Sequence, residues 1–129
     1  MKITNRQIVS IFNGMTKITG KCLPVKLGFT INKNMASMKS TAESYEAERA
    51  KILEKYGEKD ETGKIRIESG EYALKDKAGF EEEMKELLDI ATEIPVHTVG
   101  LDEIEKCDGE KFDALSPDDL HILEFMIVE

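Results

Sequence analysis

The segment from Ile31 to Tyr56 most restricts the folds open to this chain. Ile31, Met35, Met38, Ala42, Tyr45, Arg49, Ile52 and Tyr56 follow one another at alternating spacings of four and three residues. That repeat puts them on one stripe of an α-helix, with Arg49 as its charged break. It predicts a single helix over about 30–56, closed by Gly57. At 1.5 Å per residue the helix is roughly 40 Å long, more than a small domain needs across. It must pack on a neighbour for part of its length, then project or pair with another subunit. Glu48 stands three residues before Lys51, and Lys51 three before Glu54, so ion pairs brace the second half.

The rest of the chain supplies that neighbour. Thr4 and Gln7 have the spacing of a capping box, and Ile3 and Ile8 that of a hydrophobic staple. Ile8, Ile11, Phe12, Met15 and Ile18 continue with helical period up to Gly20, with Gly14 as a weak point inside. Lys21 to Gly28 reads as a connector, with Val25 and Leu27 as a short extended stretch after Pro24. Lys64–Glu68 and Glu71–Lys75 alternate polar and apolar around Ser69-Gly70, which predicts a β-hairpin over 64–75. Asp76 caps a third helix whose buried stripe is Phe80, Met84, Leu87, Leu88 and Ala91, its early acids suited to the helix N-terminus. Ile94 to Val99 reads as a strand, with Pro95 at its start or on an edge. Leu101 to Ile104 makes one turn, and Ser116-Pro117-Asp118-Asp119 opens a last helix. The apolar run Leu120, Leu123, Phe125, Met126, Ile127, Val128 belongs in a core or an interface. The expected fold is a single α+β domain, 1–129, of three to four helices around a small antiparallel element.

A chain of 129 residues buries roughly two-thirds of its unfolded surface, so a core forms without disulfides. Its two cysteines, Cys22 and Cys107, lie far apart and read as buried thiols of a reducing compartment. The polar start Met1-Lys2-Ile3-Thr4-Asn5-Arg6 carries no apolar leader, so a cytoplasmic location is expected.

Charge is segregated along the chain. Residues 1–40 hold seven bases and no acids: Lys2, Arg6, Lys17, Lys21, Lys26, Lys33 and Lys39. The remainder holds all 26 acids. The two parts either attract each other in the fold or form faces of opposite sign that meet charged partners. Glu81, Glu82, Glu83, Glu86 and Asp89 make an acidic wall on the third helix. With Arg6, Lys17, Lys21, Lys26 and Lys33 they are the candidate partner-binding residues.

Catalytic signatures are missing. Cys22, Cys107, His97 and His121 have zinc-ligand chemistry but no close pair. Glu58, Asp60, Thr62, Gly63 and Ile65 fall in a calcium-loop register, yet position twelve is Ser69 where a bidentate Glu is needed. The segment reads instead as a polar turn. No nucleophile elbow, phosphate loop or dinucleotide fingerprint is present. No cofactor, metal or catalytic residue is expected. Phe12 and Phe29 are base-stacking candidates beside the N-terminal bases, but both fit apolar periodicities better, and a net charge of -8 opposes phosphate binding.

Met1-Lys2-Ile3-Thr4-Asn5, Leu23-Pro24-Val25-Lys26, the turn Glu54-Lys55-Tyr56-Gly57-Glu58-Lys59-Asp60 and Glu124-Phe125-Met126-Ile127 resemble a family of small proteins encoded by phages and prophages of low-GC Gram-positive bacteria. The resemblance spans nearly the whole chain and rests on turns and caps. It implies phage origin and brings no activity, catalytic residue or cofactor with it. The helix–hairpin–helix order is also similar to that of prefoldin-like chaperone subunits, by topology alone. The expected function is a non-enzymatic accessory protein that binds a host protein through charged surfaces, a nucleic-acid-guided defence complex being the narrower target. The first alternative is a virion or assembly component, or chaperone, that oligomerises through the long helix. The second is a small nucleic-acid-binding module.

Overall fold

A computed structural model describes residues 1–129. The fold is α+β, with five helices and three small strand pairs. Helix α1 spans Asn5–Ile18, α2 Val25–Tyr56, α3 Lys77–Asp89, α4 Leu101–Glu105 and α5 Pro117–Leu123. The strands are β1 Lys2–Thr4, β2 Ile67–Glu68, β3 Glu71–Tyr72, β4 Ala91–Glu93, β5 Val99–Gly100 and β6 Ile127–Val128.

The capping box at α1 forms as expected. Gln7 N–H donates to Thr4 Oγ1 at 3.2 Å, and Thr4 N–H to Gln7 Oε1 at 2.9 Å. Ile8, Met15 and Ile18 are fully buried from α1, and Leu27, Ile31 and Met38 from α2. Ile94, Val99, Cys107, Leu123 and Met126 complete the same core from the last third of the chain. Gly14 is where α5 approaches α1. A Cβ there would lie 2.7 Å from Ile122 Cγ1 and Cδ1, so the glycine serves packing.

The long helix starts earlier than its apolar period suggests. Residues 25–29 form its opening turns, not a connector with an extended stretch. Pro24, at the position before the helix, has the φ that a helix entry tolerates. It ends the preceding loop and leaves the helix free to run on from Val25. The first half of the seam is consumed inside the molecule, while beyond Tyr45 Arg49 is exposed and Ile52 half-buried. Ile31, Met38 and Tyr45 are buried where α2 packs on α1, and Tyr56 meets Phe80 of α3 edge-on, ring centroids 6.2 Å apart.

The 64–75 hairpin is shorter than its alternation. Only Ile67↔Tyr72 and Glu68↔Glu71 pair as strands, around Ser69 and Gly70, both at positive φ. That pair of conformations is what a two-residue hairpin turn requires. Isolated bridges Gly57↔Leu74 and Lys59↔Ile65 tie the hairpin base to the chain just beyond α2. Three short extended segments, with only Gly57 and Ala73 buried among them, brace one another there.

Strand formation around residues 91–100 differs from expectation. Ala91 leaves α3 and pairs with Thr4, so it is not part of the buried helical stripe. Ile94–Val99 is not a continuous strand. β4 pairs antiparallel with β1, β5 pairs parallel with β6, and between them Ile94 still exchanges backbone hydrogen bonds with Met1 while residues 95–98 run unpaired. Their backbone is held by a side chain instead. Asn34, 1% exposed on α2, donates Nδ2 to His97 O at 2.8 Å and accepts at Oδ1 from His97 N at 2.7 Å. A buried amide that completes both bonds of one residue replaces a ladder rung.

The ends of α3 and α5 follow the sequence. Asp76 accepts from Gly79 N–H at 3.1 Å, and Ser116 and Asp119 form a second capping box. The first turn of α3 itself holds no acid, so the carboxylate at the positive helix end is the cap, Asp76, and not Glu81, Glu82 or Glu83. The terminal apolar run enters the core at Leu123 and Met126, while Val128 stays exposed. No helix is long and apolar enough to cross a membrane.

Candidate functional site

The segregated charge is only partly neutralised by folding. Of the bases in residues 1–40, Arg6 meets Asp89 at 3.2 Å and Lys21 meets Asp119 at 2.8 Å. Lys21 also donates to Ala114 O at 2.9 Å. With Cys22 N–H on Asp113 Oδ2 at 2.7 Å, it fastens the α1–α2 connector to the start of α5. The Lys21 ammonium and the Ser116 backbone and hydroxyl hold the Asp119 carboxyl below the ordinary aspartate range. Lys21 and Arg6 are therefore structural. Lys17, Lys26 and Lys33 are exposed and meet no carboxylate; Lys33 stands 5.4 Å from the centroid of the Phe29 ring.

The acidic wall divides in the same way. Helix α3 buries Leu87 and half-buries Phe80, Met84 and Leu88, which turns Glu81, Glu82 and Glu86 outward. None of these three forms an ion pair. Glu83 is half-buried and accepts from Lys55 Nζ at 3.1 Å. The Tyr56 hydroxyl and the Lys55 ammonium hold its carboxyl below the usual range. Asp89 is answered by Arg6 and, at 4.0 Å, by Lys85. Glu83 and Asp89 thus fasten α3 to α2 and α1, leaving a free face of three acids. Exposed pairs of this kind stabilise by at most about 1 kcal/mol each, so their placement matters more than their strength.

Three shallow grooves flank these charges. One of about 480 Å³ lies between α1 and α2, walled by Val9, Phe12, Ala42 and Tyr45. Another, of about 400 Å³, brings Ser10, His121 and Glu124 together with Ile11 and Phe125. Those three residue types occur in hydrolytic triads, but no hydrogen bond joins Ser10 to His121. His121 Nδ1 stands 3.6 Å from Glu124 Oε2 with both side chains mostly in water. A triad needs a nucleophile within reach of an oriented base, and this groove does not supply it.

The third groove, of about 610 Å³, runs along the first turns of α2, between Pro24, Val25, Lys26 and Phe29 on one side and Glu103, Lys106 and Phe112 on the other. Val25 is 89% exposed and Phe29 61%. Phe29 therefore departs from the apolar stripe assigned to it. Four residues back from Ile31 the seam reaches Leu27, which is buried. At 100° per residue Val25 and Phe29 then fall on the outer side of the helix. Extending the heptad register back past Ile31 was the available signal. Phe12, by contrast, packs against the core.

Of the two cysteines, only Cys22 differs from expectation. Cys107 is buried, and burial, with Asp108 and Glu103 nearby, raises its thiol pKa. Cys22 is exposed, because its loop lies over the outside of the α5 entry. No group of three or more His, Cys, Asp or Glu side chains gathers at metal-holding geometry. In the former calcium register, Asp60 Oδ1 accepts from Thr62 N–H at 2.8 Å, Thr62 Oγ1 at 2.6 Å and Lys64 N–H at 3.1 Å. Asp60 is thus engaged in its own turn, which lowers its pKa. Comparison with protein-family models, with curated proteins and with solved structures finds no match.

Proposed function

We propose that this is a non-enzymatic, phage-type accessory protein of the host cytoplasm that binds a host protein through its charged faces. The observation that carries the reading is charge left over after folding. Glu81, Glu82 and Glu86 on α3 form no internal ion pair, and neither do Lys17, Lys26 and Lys33 on α1 and α2. Nor do the α3 acids serve their own helix. The first turn of α3 has none, whereas Glu86 lies near the C-terminal end, where the macrodipole disfavours negative charge. Carboxylates at helical spacing without a structural role suit a basic surface on another molecule, where they steer encounter and lose strength in salt. A nucleic-acid-guided defence complex, with its basic groove, is the target class this face fits.

The assembly alternative has less surface to use than its sequence pattern offered, since Ile31, Met38 and Tyr45 of the α2 seam and Leu123 and Met126 of the C-terminal run are buried inside one chain, while Leu120 and Val128 stay exposed. The test is a triple variant, Glu81→Lys/Glu82→Lys/Glu86→Lys, used with the parent chain to capture proteins from host-cell extract. Capture of one species that weakens with salt and is lost in the variant, at unchanged melting temperature, supports the reading. Equal capture by both proteins removes the α3 acids from the interface. Glu83 is left out of the variant because it holds α3 to α2.

A further inference from the structure

We propose that the first two turns of α2 are a docking surface for an acidic segment of a partner protein carrying a large apolar side chain. This surface is independent of the α3 acids. The Lys55–Glu83 contact at the middle of α3 lies roughly 40 Å further along α2. Val25 and Phe29 stand one turn apart on the outer side of α2, more exposed than most large apolar side chains here. Half-buried Phe112 faces them across the groove. An apolar side chain laid between Phe29 and Phe112 removes all three from water, and buried aromatic anchors of this kind dominate interface energetics.

Charge selects the occupant. Lys26 and Lys33 flank Val25 and Phe29 without carboxylate partners, whereas Lys106 is satisfied by Glu103 at 2.8 Å. The first turn of α2 contains no acid, and no side chain caps it. A lysine in that turn opposes the macrodipole, and the sequence supplies nothing to offset it. A segment that brings carboxylates provides what the chain omits, for both lysines and for the helix end. Nucleic acid fits less well. Pro24 and Val25 offer no stacking face, Lys33 already lies over the Phe29 ring, and the whole chain carries -8.

The test pans a random peptide library on the immobilised full-length chain, then measures the enriched peptides in solution by fluorescence anisotropy. Enriched sequences should combine Asp or Glu with Leu, Ile, Phe or Trp. Phe29→Ala and, separately, Lys26→Glu/Lys33→Glu should each weaken binding by about tenfold or more. Lys64→Glu, at an exposed lysine beyond the far end of α2, should leave it unchanged. These side chains are exposed, so melting temperatures should match the parent. No enrichment over bare support, or peptides indifferent to Phe29→Ala, overturns the proposal. So does oligothymidine binding that Phe29→Ala abolishes, which makes the surface a nucleic-acid site. A dimer by light scattering that Phe29→Ala returns to 14.5 kDa overturns it in favour of self-association.

Discussion

Replacing Gly14 with alanine sets two effects of opposite sign against each other. In an open helix interior the change stabilises by about 1 kcal/mol, because alanine restricts the unfolded chain and suits the helix. At this position the new methyl would stand 2.7 Å from Ile122 Cγ1 and Cδ1 and 3.0 Å from Cγ2. Carbon atoms prefer roughly 3.5–4.0 Å. Cγ1 and Cγ2 both hang from the Cβ of Ile122, so rotating the side chain trades one branch for the other, and α5 must retreat. Overpacking of this kind costs about 1–3 kcal/mol. The expected balance is a net loss of about 1 kcal/mol, or a melting temperature lower by about 3–5 °C for a domain of this size. The same substitution in an Ile122→Ala background meets no clash, and the gain of about 1 kcal/mol returns. The sign of the Gly14→Ala effect should therefore reverse between the two backgrounds, in urea unfolding followed by circular dichroism. Stabilisation in the parent chain, or equal effects in both, would refute the argument that Gly14 is kept for the approach of α5.

Asn34→Ala should cost about 2–4 kcal/mol, because both backbone groups of His97 lose their partner; Asn32→Ala, on the exposed side of the same helix, should fall within about 0.5 kcal/mol of the parent, and equal effects would dismiss the clamp. The Lys21–Asp119 pair should appear in the acid limb of stability. A carboxyl held low in the folded state contributes above the ordinary aspartate value, about 4, and that contribution is lost as pH falls through the lower folded value. Parent and Asp119→Asn should therefore differ in denaturation midpoint near neutrality, and the gap should begin to close below about pH 4 and vanish only below the lower folded value; curves that stay parallel would exclude this pair as the cause. With a chromogenic disulfide reagent, Cys22 should react at once and Cys107 only on unfolding. Immediate reaction of Cys22→Ser protein would contradict the burial of Cys107.

What the sequence disclosed depended on whether an element's cause was local. The caps at Thr4, Asp76 and Ser116, the Ser69-Gly70 turn and the α2 seam are written within a few residues, and each appears where the pattern places it. The start of α2 was hidden because Pro24 reads as a breaker from one side and as an entry from the other. Residues 94–99 alternate like a strand, yet no strand lies alongside 95–98. The partner of His97 is Asn34, more than sixty residues earlier, and a buried Asn on a helix carries no local signal of what it will bind. The charged candidates divide in role once the chain is folded. Arg6, Lys21, Glu83 and Asp89 proved to be fasteners, because pairing depends on which helices meet, while Glu81, Glu82, Glu86, Lys17, Lys26 and Lys33 stayed free. The Val25–Phe29 surface was masked by the habit of assigning every aromatic to a core.

The stitching of Lys2–Thr4 to Ala91–Glu93, and of Val99–Gly100 to Ile127–Val128, has a consequence during synthesis. Helices α1 and α2 leave the ribosome with Ile8, Met15, Ile18, Leu27 and Ile31 facing water, since the residues that roof them come last. At roughly 5–20 residues per second, some seventy further residues keep that greasy floor open for roughly 4–14 seconds. A nascent-chain holdase has that interval in which to act, and cells short of one should yield this protein as aggregate before any mature copy is made.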